Sequence, residues 1–227
     1  LGHDDPTIIK FFMDYVKEHP SEFPFNNPQD IPIDDPNIYR LFSETEVLGF
    51  KESDMNSKVA SFAVPEFGTN FVRKMLVETL PKTFAQLVKI SGLSHGTDVW
   101  TTNAQDLVAG VTEFGAIPFK DIIGCRDDIM VYLMYNGVEP IKAFKIMETV
   151  RKGKALKDPE KWEGFKAVMK EFDIPDWYVK SCEKIKYMFP KAHAAAYVTN
   201  AFRIAWFKVH MPLAYYAAYF TIRAKAF

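Results

Sequence analysis

The spacing of apolar residues along this chain is typical of α-helices over most of its length. The carboxylate of Asp5 is predicted to cap a helix that begins at Pro6, and apolar side chains then recur at the 3.6-residue period until His19-Pro20. The same period marks further segments such as 71–80, 122–135 and 191–210, and it predicts about ten helices. We find neither a convincing strand pattern nor an internal repeat.

Three stretches lack this period and are predicted to be irregular. Residues 20–36 contain five prolines and are expected to form an ordered connector lying against the body of the protein. Residues 50–64 show no clear pattern. The run SGLSHGTDVW at 91–100 has two glycines and several hydroxyl groups, which predicts a loop. The fold class is therefore predicted to be all-α, with an irregular proline-rich connector near the N-terminus.

Size and composition are those of a globular protein. With 227 residues, 48% hydrophobic and 25% charged, the chain can form one large domain or two small ones. No apolar run reaches the length of a membrane span, and no signal peptide is recognised. Cys125 and Cys182 predict neither a zinc site nor a disulfide scaffold, so reduced thiols are expected. Because the sequence starts at Leu1 without a methionine, we expect a fragment of a longer protein.

Charge is unevenly distributed, although the formal net charge is only −1. Residues 177–227 carry eight lysines and arginines against one acid, a charge of +7, which leaves −8 on the first 176 residues. Such asymmetry favours one face that meets a polyanion while the remainder is solvated.

The stretch 178–210 combines cations with aromatic residues. Cations attract phosphates, and aromatic planes stack on bases. A helix that begins within the lysine cluster would add its unpaired N–H groups and its positive dipole end. His193, Tyr197 and Lys208 share one face of that helix, and Arg203 lies on a neighbouring one. A polyanion site and a solvated lysine-rich turn before a core helix fit the spacing equally well, and the charge distribution favours the site.

Other polar positions give weaker signals. Ser94 and His95 lack a third partner, so loop polarity is favoured over a nucleophilic site. Arg126 beside Asp127 and Asp128 is typical of a surface ion pair, worth about 0–1 kcal/mol. No histidine or cysteine spacing predicts a metal site, and no phosphate-binding glycine motif occurs.

Five runs of sequence, in a fixed order, resemble one family. They are SGLSHGTDVW (91–100), IIGCRDDIMVYL (122–133), AFKIMETVRKGK (143–154), KIKYMFPKAHAAAY (184–197) and RIAWFKVHMPLAYYAAYFT (203–221). The family is the bacterial replicative DNA polymerase III alpha subunit of the PolC type. The resemblance extends from Leu1 to Phe227 and is densest after Leu93.

The resemblance implies that the chain is the fingers part of a DNA-directed DNA polymerase, a nucleotidyltransferase of DNA replication. Residues 1–50 would connect the palm to the fingers, and residues 51–227 would form the helical fingers with the nucleotide-binding helix 191–210. The catalytic aspartates and their two Mg²⁺ ions would belong to the palm, upstream of Leu1. No D-x-D pair occurs here, so no catalytic or metal-binding residue is expected, and the fragment alone is expected to be inactive.

The resemblance also implies partners and site residues. The expected partners are the incoming dNTP, primer–template DNA, the palm and thumb of the same chain and, through other parts, a sliding clamp. A cytoplasmic location at nucleoid-associated replication forks is implied, without a membrane. The residues expected to contact the nucleotide are Arg126, Lys184, Lys186 and Lys191 at the phosphates, His193 and Tyr197 beside the nucleotide, and Ser94 and His95 near the base or sugar. Arg203 and Lys208 are expected to contact the template backbone.

Two other functions are consistent with the residues alone. A non-catalytic helical module that binds single-stranded nucleic acid would use the same charge and stacking. A protein-interaction module would dock its basic patch on an acidic partner. Dependence of nucleotide binding on the templating base distinguishes the polymerase from the single-strand binder, and failure to bind any nucleic acid or triphosphate at low salt would favour the protein-interaction module.

Overall fold

The computed structural model describes residues 4–226, and every regular element in these residues is helical. The predicted all-α class is confirmed. The α-helices are α1 (Asp5–Glu18), α2 (Pro36–Arg40), α3 (Glu52–Met55), α4 (Asn70–Thr79), α5 (Phe84–His95), α6 (Gln105–Ala109), α7 (Arg126–Tyr135), α8 (Pro140–Arg151), α9 (Pro159–Glu171), α10 (Asp176–Lys184), α11 (Lys191–His210) and α12 (Pro212–Ile222). A single isolated antiparallel bridge, Thr97 to Tyr187, is the β-type pairing seen in the described residues.

Local sequence explains where several helices begin. The Asp35 carboxylate accepts the N–H of Asn37 at 2.9 Å, and Pro36 is the first residue of α2. Thr69 Oγ1 accepts the N–H of Val72 at 3.3 Å at the start of α4. These side chains satisfy backbone donors that the first helical turn leaves without partners.

The start of α1 differs from the prediction. Asp5 is the first residue of the helix rather than its cap, and Asp4 precedes it without a side-chain capping bond. The Asp5 side chain is buried, and this burial, together with the nearby charge of Glu66, raises the pKa of its carboxyl group.

The loop predicted for residues 91–100 is wrong over its first half, because α5 continues to His95. The glycine at position 92 serves close packing rather than a turn. A Cβ atom there would lie 2.6 Å from the carbonyl oxygen of Gly124, so only a glycine lets α5 approach this segment so closely. Helical order therefore extends through Ser94 and His95.

The described chain divides into two compact units. We call the first the terminal unit, formed from the described residues of Leu1–Leu87 and Ala195–Phe227, and the second the central unit, Val88–Ala194.

Aromatic packing forms the core of the terminal unit. Phe12 of α1 stacks on Phe207 of α11 with ring centroids 4.1 Å apart. Phe25 from the proline-rich connector meets Trp206 edge to face at 4.9 Å, and Ile31 of the connector is buried. The connector is thus ordered and packed, as predicted.

The central unit is built around the pair α7 and α8 with α9 and α10. Tyr132 of α7 stacks on the buried Tyr178 of α10, with ring centroids 4.3 Å apart. The indole N–H of the buried Trp162 on α9 donates to Glu183 Oε1 at 2.7 Å. These contacts fix the helices that carry two of the predicted site residues, Arg126 on α7 and Lys184 on α10.

Candidate functional site

The heads of α7 and α11 lie side by side in the central unit. The backbone N–H of Arg126, the first residue of α7, donates to the carbonyl oxygen of Phe189 at 3.1 Å. The backbone N–H of Lys191, the first residue of α11, donates to Asp127 Oδ2 at 2.6 Å. A carboxylate thus occupies the position in which the unpaired N–H groups and dipole of α11 favour an anion.

Asp128 joins the same two helix heads. Its Oδ2 accepts the N–H groups of Gly124 and Cys125 at 3.0 and 3.2 Å, while its Oδ1 lies 3.3 Å from Lys191 Nζ. The negative charge of Asp128 raises the pKa of Lys191, which therefore carries a positive charge at neutral pH. Arg126 and Lys191 were predicted from separate motifs. The structure brings these two cations close together, because each is the first residue of one of the two adjoining helices.

Cys125 precedes this cluster and has no nucleophilic character. The thiol is buried, and burial, with the nearby Asp128 charge as a smaller cause, raises its pKa to about 12. The thiolate is therefore negligible at neutral pH.

Aromatic rings gather next to the head of α11. Phe189 lies 4.9 Å from His193 and 5.4 Å from His95, measured between ring centroids, and the two histidine rings are 6.5 Å apart. Tyr187 meets Phe189 edge to face at 5.4 Å. His95 and His193, predicted from separate motifs, are therefore brought together. Phe189 contacts both histidine rings, and the sequence analysis assigned it no role. Its position among the aromatic residues of 178–210 was the signal that could have identified it.

Ser94 lies in the last turn of α5, beside this aromatic group in sequence. It is half-buried, and its hydroxyl donates to the carbonyl oxygen of Ser91 at 2.9 Å, within the same helix. This bond satisfies the hydroxyl within the helix and adds no catalytic partner.

Lys186 is held by the segment that follows α5. The backbone N–H of Lys186 donates to Thr97 O at 3.0 Å, and its Nζ lies 2.6 Å from Asp98 Oδ2. The close approach requires Gly96, since a Cβ atom there would lie 2.9 Å from the carbonyl oxygen of Tyr187. The ammonium remains largely exposed, with 71% of the side chain accessible.

Lys184 is exposed and uses a different acceptor. Its Nζ donates to the carbonyl oxygen of Thr102 at 2.7 Å. The ammonium groups of Lys184 and Lys186 therefore contact the segment that contains Asp98 and Thr102. The ammonium group of Lys191 contacts Asp128, at the head of α7. That the three lysines bind one ligand together stays a prediction.

The remaining predicted residues belong to the terminal unit. Tyr197 is half-buried on α11, one turn beyond His193. Arg203 is also half-buried, and its Nε atom is buried with no hydrogen-bond partner among the described residues.

The predicted template contact of Lys208 is contradicted by its burial. This side chain is 0% exposed, and its ammonium donates to the carbonyl oxygens of Ala60, at 2.7 Å, and Phe62. Burial lowers the pKa of Lys208 to about 7. An ammonium enclosed by backbone carbonyls cannot reach a DNA phosphate, so Lys208 is a structural residue.

Within residues 4–226, four of the eight cations of the segment 177–227 are paired with acids from elsewhere in the chain. Lys180 pairs with Glu113, Lys186 with Asp98, and Arg223 lies 3.4 Å from Asp4. Together with the Lys191–Asp128 pair, these contacts neutralise part of the positive charge that the sequence concentrates in residues 177–227. The basic segment is therefore less of a continuous positive surface than its composition indicates.

Two kinds of feature are absent from residues 4–226. No helix there is long and apolar enough to cross a membrane. No group of three or more histidine, cysteine or acidic side chains there has an arrangement that could hold a metal ion.

Comparison with known proteins places the chain in a family. The family model described as the bacterial DNA polymerase III alpha subunit finger domain matches residues 5–173. The chain is 56% identical over its whole length to proteins named DNA polymerase III PolC-type from Halalkalibacterium halodurans, Streptococcus mutans and Staphylococcus aureus. It spans about 15% of the length of these curated relatives. The chain therefore belongs to the bacterial DNA polymerase III alpha subunit finger domain family.

Proposed function

We propose that this chain receives the incoming deoxynucleoside triphosphate and the templating base in a replicative DNA-directed DNA polymerase. The observation that carries the proposal is the junction of the α7 and α11 heads, where Arg126 and Lys191 accompany two helix N-termini. Helix N-termini and cations stabilise phosphate oxygens. The names of the relatives, DNA polymerase III PolC-type, supply the reaction class.

The carboxylates at this junction are exchangeable partners for the cations. A partly exposed ion pair such as Lys191–Asp128 is worth about 0–1 kcal/mol, so a triphosphate with its larger charge can replace the carboxylate. Lys184 and Lys186 would add further cations at the β- and γ-phosphates. Neutralising charge on the phosphates and fixing their position is what phosphoryl transfer requires of the protein.

The rings near α11 would meet the nucleoside. We assign His193 and Tyr197 to packing beside the nucleotide, and Ser94 and His95 to the base or sugar. The contact of His193 with Phe189 and its proximity to His95 support this, because ordered rings offer apolar faces against which a nucleoside can pack. Arg203 remains our candidate for contact with the template backbone, whereas the burial of Lys208 excludes such a contact.

Other parts of the polymerase would complete the site. Two Mg²⁺ ions bound by the palm would supply the charge that activates the attacking oxygen and stabilises the leaving oxygen. The residues of this chain would bind and orient the triphosphate. In this proposal residues 1–50 connect palm and fingers, 51–227 form the fingers, and the enzyme works in the cytoplasm at replication forks with its thumb and a sliding clamp.

The test uses the full-length polymerase with Lys184, Lys186 and Lys191 all changed to Glu. We expect the KM for a matched dNTP to rise by about tenfold or more, because electrostatic repulsion replaces the charge-assisted hydrogen bonds to phosphate. Lys180→Glu, in the same basic segment but paired with Glu113, is the matched control and should leave KM almost unchanged. An unchanged KM in the triple variant would remove the site assignment.

A second variant probes the junction from the acidic side. Asp127→Asn removes the carboxylate charge that lies against the Lys191 N–H, while keeping an oxygen that can accept it. We expect the KM for dNTP to fall or stay constant, since the competing anion is weakened. A marked rise in KM would show that this carboxylate assists the nucleotide instead.

A further inference from the structure

A second basic site lies on the central unit, lined by residues other than those assigned to the triphosphate. The motif AFKIMETVRKGK at 143–154 covers most of α8 and the turn after it. Beside it a cavity of about 170 Å³ is lined by Phe144, Glu148 and four lysines, Lys145, Lys152, Lys154 and Lys161. None of these lysines belongs to the proposed triphosphate site.

The positive charge of this cavity is only partly compensated. Residues 142–161 contain seven lysines and arginines and three acids. Glu148, the acid that lines the cavity, is bound by Arg151, with one contact of 2.9 Å, and by Lys152 at 2.7 Å. The Arg151 and then the Lys152 hydrogen bonds lower the pKa of Glu148 to about 2, so it stays ionised and its charge is used within these pairs.

Lys145 and Lys154 differ from Lys186 and Lys191 of the proposed triphosphate site. Both are exposed, and within residues 4–226 neither ammonium lies within ion-pairing distance of a carboxylate. An external anion therefore does not have to displace an internal partner. The charge of these two lysines is therefore available to a ligand.

The turn that carries Lys152 and Lys154 is fixed by backbone packing. Gly153 has a φ of +61°, and a Cβ atom there would lie 2.4 Å from the carbonyl oxygen of Lys186. The N–H of Met188 also donates to Arg151 O at 3.2 Å. The lysine positions are thus set by the fold rather than by a mobile loop.

An exposed aromatic ring stands at the same cavity. The inward face of α8 is filled by Ala143, Ile146, Met147 and Val150, which leaves Phe144 on the outer face with 48% of its surface accessible. Proteins that bind single-stranded nucleic acid combine aromatic rings, on which bases stack, with cations that attract the phosphates. An exposed phenylalanine beside lysines provides the same combination.

We propose that Phe144 and the surrounding lysines form a binding site for single-stranded DNA, with a phosphate in the lysine-lined cavity and an unpaired base on the Phe144 ring. Duplex DNA would offer the phosphates, but its stacked bases would leave the ring unused. An acidic protein segment would likewise leave the ring without a base. The assignment of the strand as template rests on the proposed function, whereas single-strand binding does not.

The test measures binding of fluorescein-labelled oligo(dT) to the full-length polymerase by anisotropy over a salt series. Lys145→Gln with Lys154→Gln should weaken binding and reduce the slope of log K against log salt by about 0.7 for each phosphate that the variant no longer neutralises. Phe144→Ala should weaken binding by about fivefold to a hundredfold without changing that slope. Lys142→Gln with Lys170→Gln removes the same charge from α8 and α9 outside the cavity and is the matched control.

A direct readout separates this site from others on the polymerase. Oligonucleotides with 5-iododeoxyuridine, which crosslinks to aromatic rings on irradiation, should label the peptide that contains Phe144. Crosslinks confined to other peptides, or equal weakening by cavity and control variants, would overturn the proposal. The KM for dNTP on a template without a long single-stranded extension should be unchanged in these variants, so failure here is distinct from failure of the triphosphate site.

Discussion

Lys191 Nζ lies 3.3 Å from Asp128 Oδ1, and the other oxygen of the same carboxylate accepts the N–H groups of Gly124 and Cys125. One side chain thus caps α7 and holds the first residue of α11. The helix cap orients the carboxylate, and the oriented carboxylate positions the lysine that we assign to the triphosphate.

The capping role of Asp128 predicts a graded effect on stability. Asp128→Ala should lower the free energy of unfolding by about 1–2 kcal/mol, because the backbone donors at the head of α7 lose their acceptor. Asp128→Asn should cost less, since its amide oxygen can accept the same groups. Lys191→Gln, which keeps the cap and removes only the ion pair, should change the value by about 0–1 kcal/mol. Urea unfolding of the chain measures all three, and equal losses for Ala and Asn would refute the cap.

Two glycines in helices predict opposite responses to the same substitution. Gly92→Ala should destabilise the chain by about 1–3 kcal/mol, because the new Cβ would meet the Gly124 carbonyl oxygen at 2.6 Å. Gly164→Ala on α9 faces open space and should stabilise it by about 0.5–1 kcal/mol through the higher helix propensity of alanine. Thermal unfolding of both variants provides the comparison. A neutral Gly92→Ala would mean that α5 and the segment at 124 are not in close contact.

The buried lysine predicts a dependence of stability on pH. An unfolded Lys208 holds its proton up to about pH 10.5, whereas burial lowers its folded pKa to about 7. Between these values the unfolded state binds more protons, so the free energy of unfolding rises with pH and the gain is lost as the pH falls to 7. The Ala60 and Phe62 carbonyls favour the charged form and reduce the effect.

The measurement compares the chain with Lys208→Met, which lacks this titration. From pH 7 to 9 we expect the wild-type chain to gain about 1–3 kcal/mol of stability relative to the variant. Urea unfolding at several pH values gives the difference, in which other titrating groups cancel. Parallel pH profiles would show that Lys208 is not buried as an ionisable group.

A buried amide predicts a large polar contribution to the stability of the central unit. Asn103 donates to the carbonyl oxygens of Asp98 and Ser181 at 3.0 and 3.1 Å, and it accepts the Ser181 hydroxyl at 2.8 Å. Asn103→Ala should destabilise the chain by at least about 2 kcal/mol, because several buried polar groups lose their partners. Exposed Asn136→Ala, at the end of α7, is the control and should remain within about 0.5 kcal/mol. Similar losses for the two variants in urea unfolding would contradict this network.

Local chemistry made the helices predictable, and distant contacts explain the errors. The apolar period identified the long helix 191–210 correctly. The glycines at 92 and 96 look like loop residues in sequence, yet each serves a close backbone approach to a distant segment. No local signal distinguishes these two uses of glycine.

The candidate site was predicted in part. Sequence motifs identified Arg126, Lys191, His95 and His193, but not that the heads of α7 and α11 adjoin or that Phe189 contacts both histidine rings. Lys208 shares a helical face with His193 in sequence and is nevertheless buried, because helical spacing does not say which part of a face is covered by another segment.

The sequence by itself determined the helical class, the start of the long α11 helix and the family, because these depend on local periodicity, caps and residue identity. Only the tertiary structure decided which cations are available to a ligand. Lys191 and Lys186 are paired with acids distant in sequence, Lys208 is enclosed by carbonyls, and Lys145 is exposed and has no carboxylate within ion-pairing distance in the described residues. The physical reason is that charge pairing and burial depend on contacts between segments far apart in the chain, which composition and period do not specify.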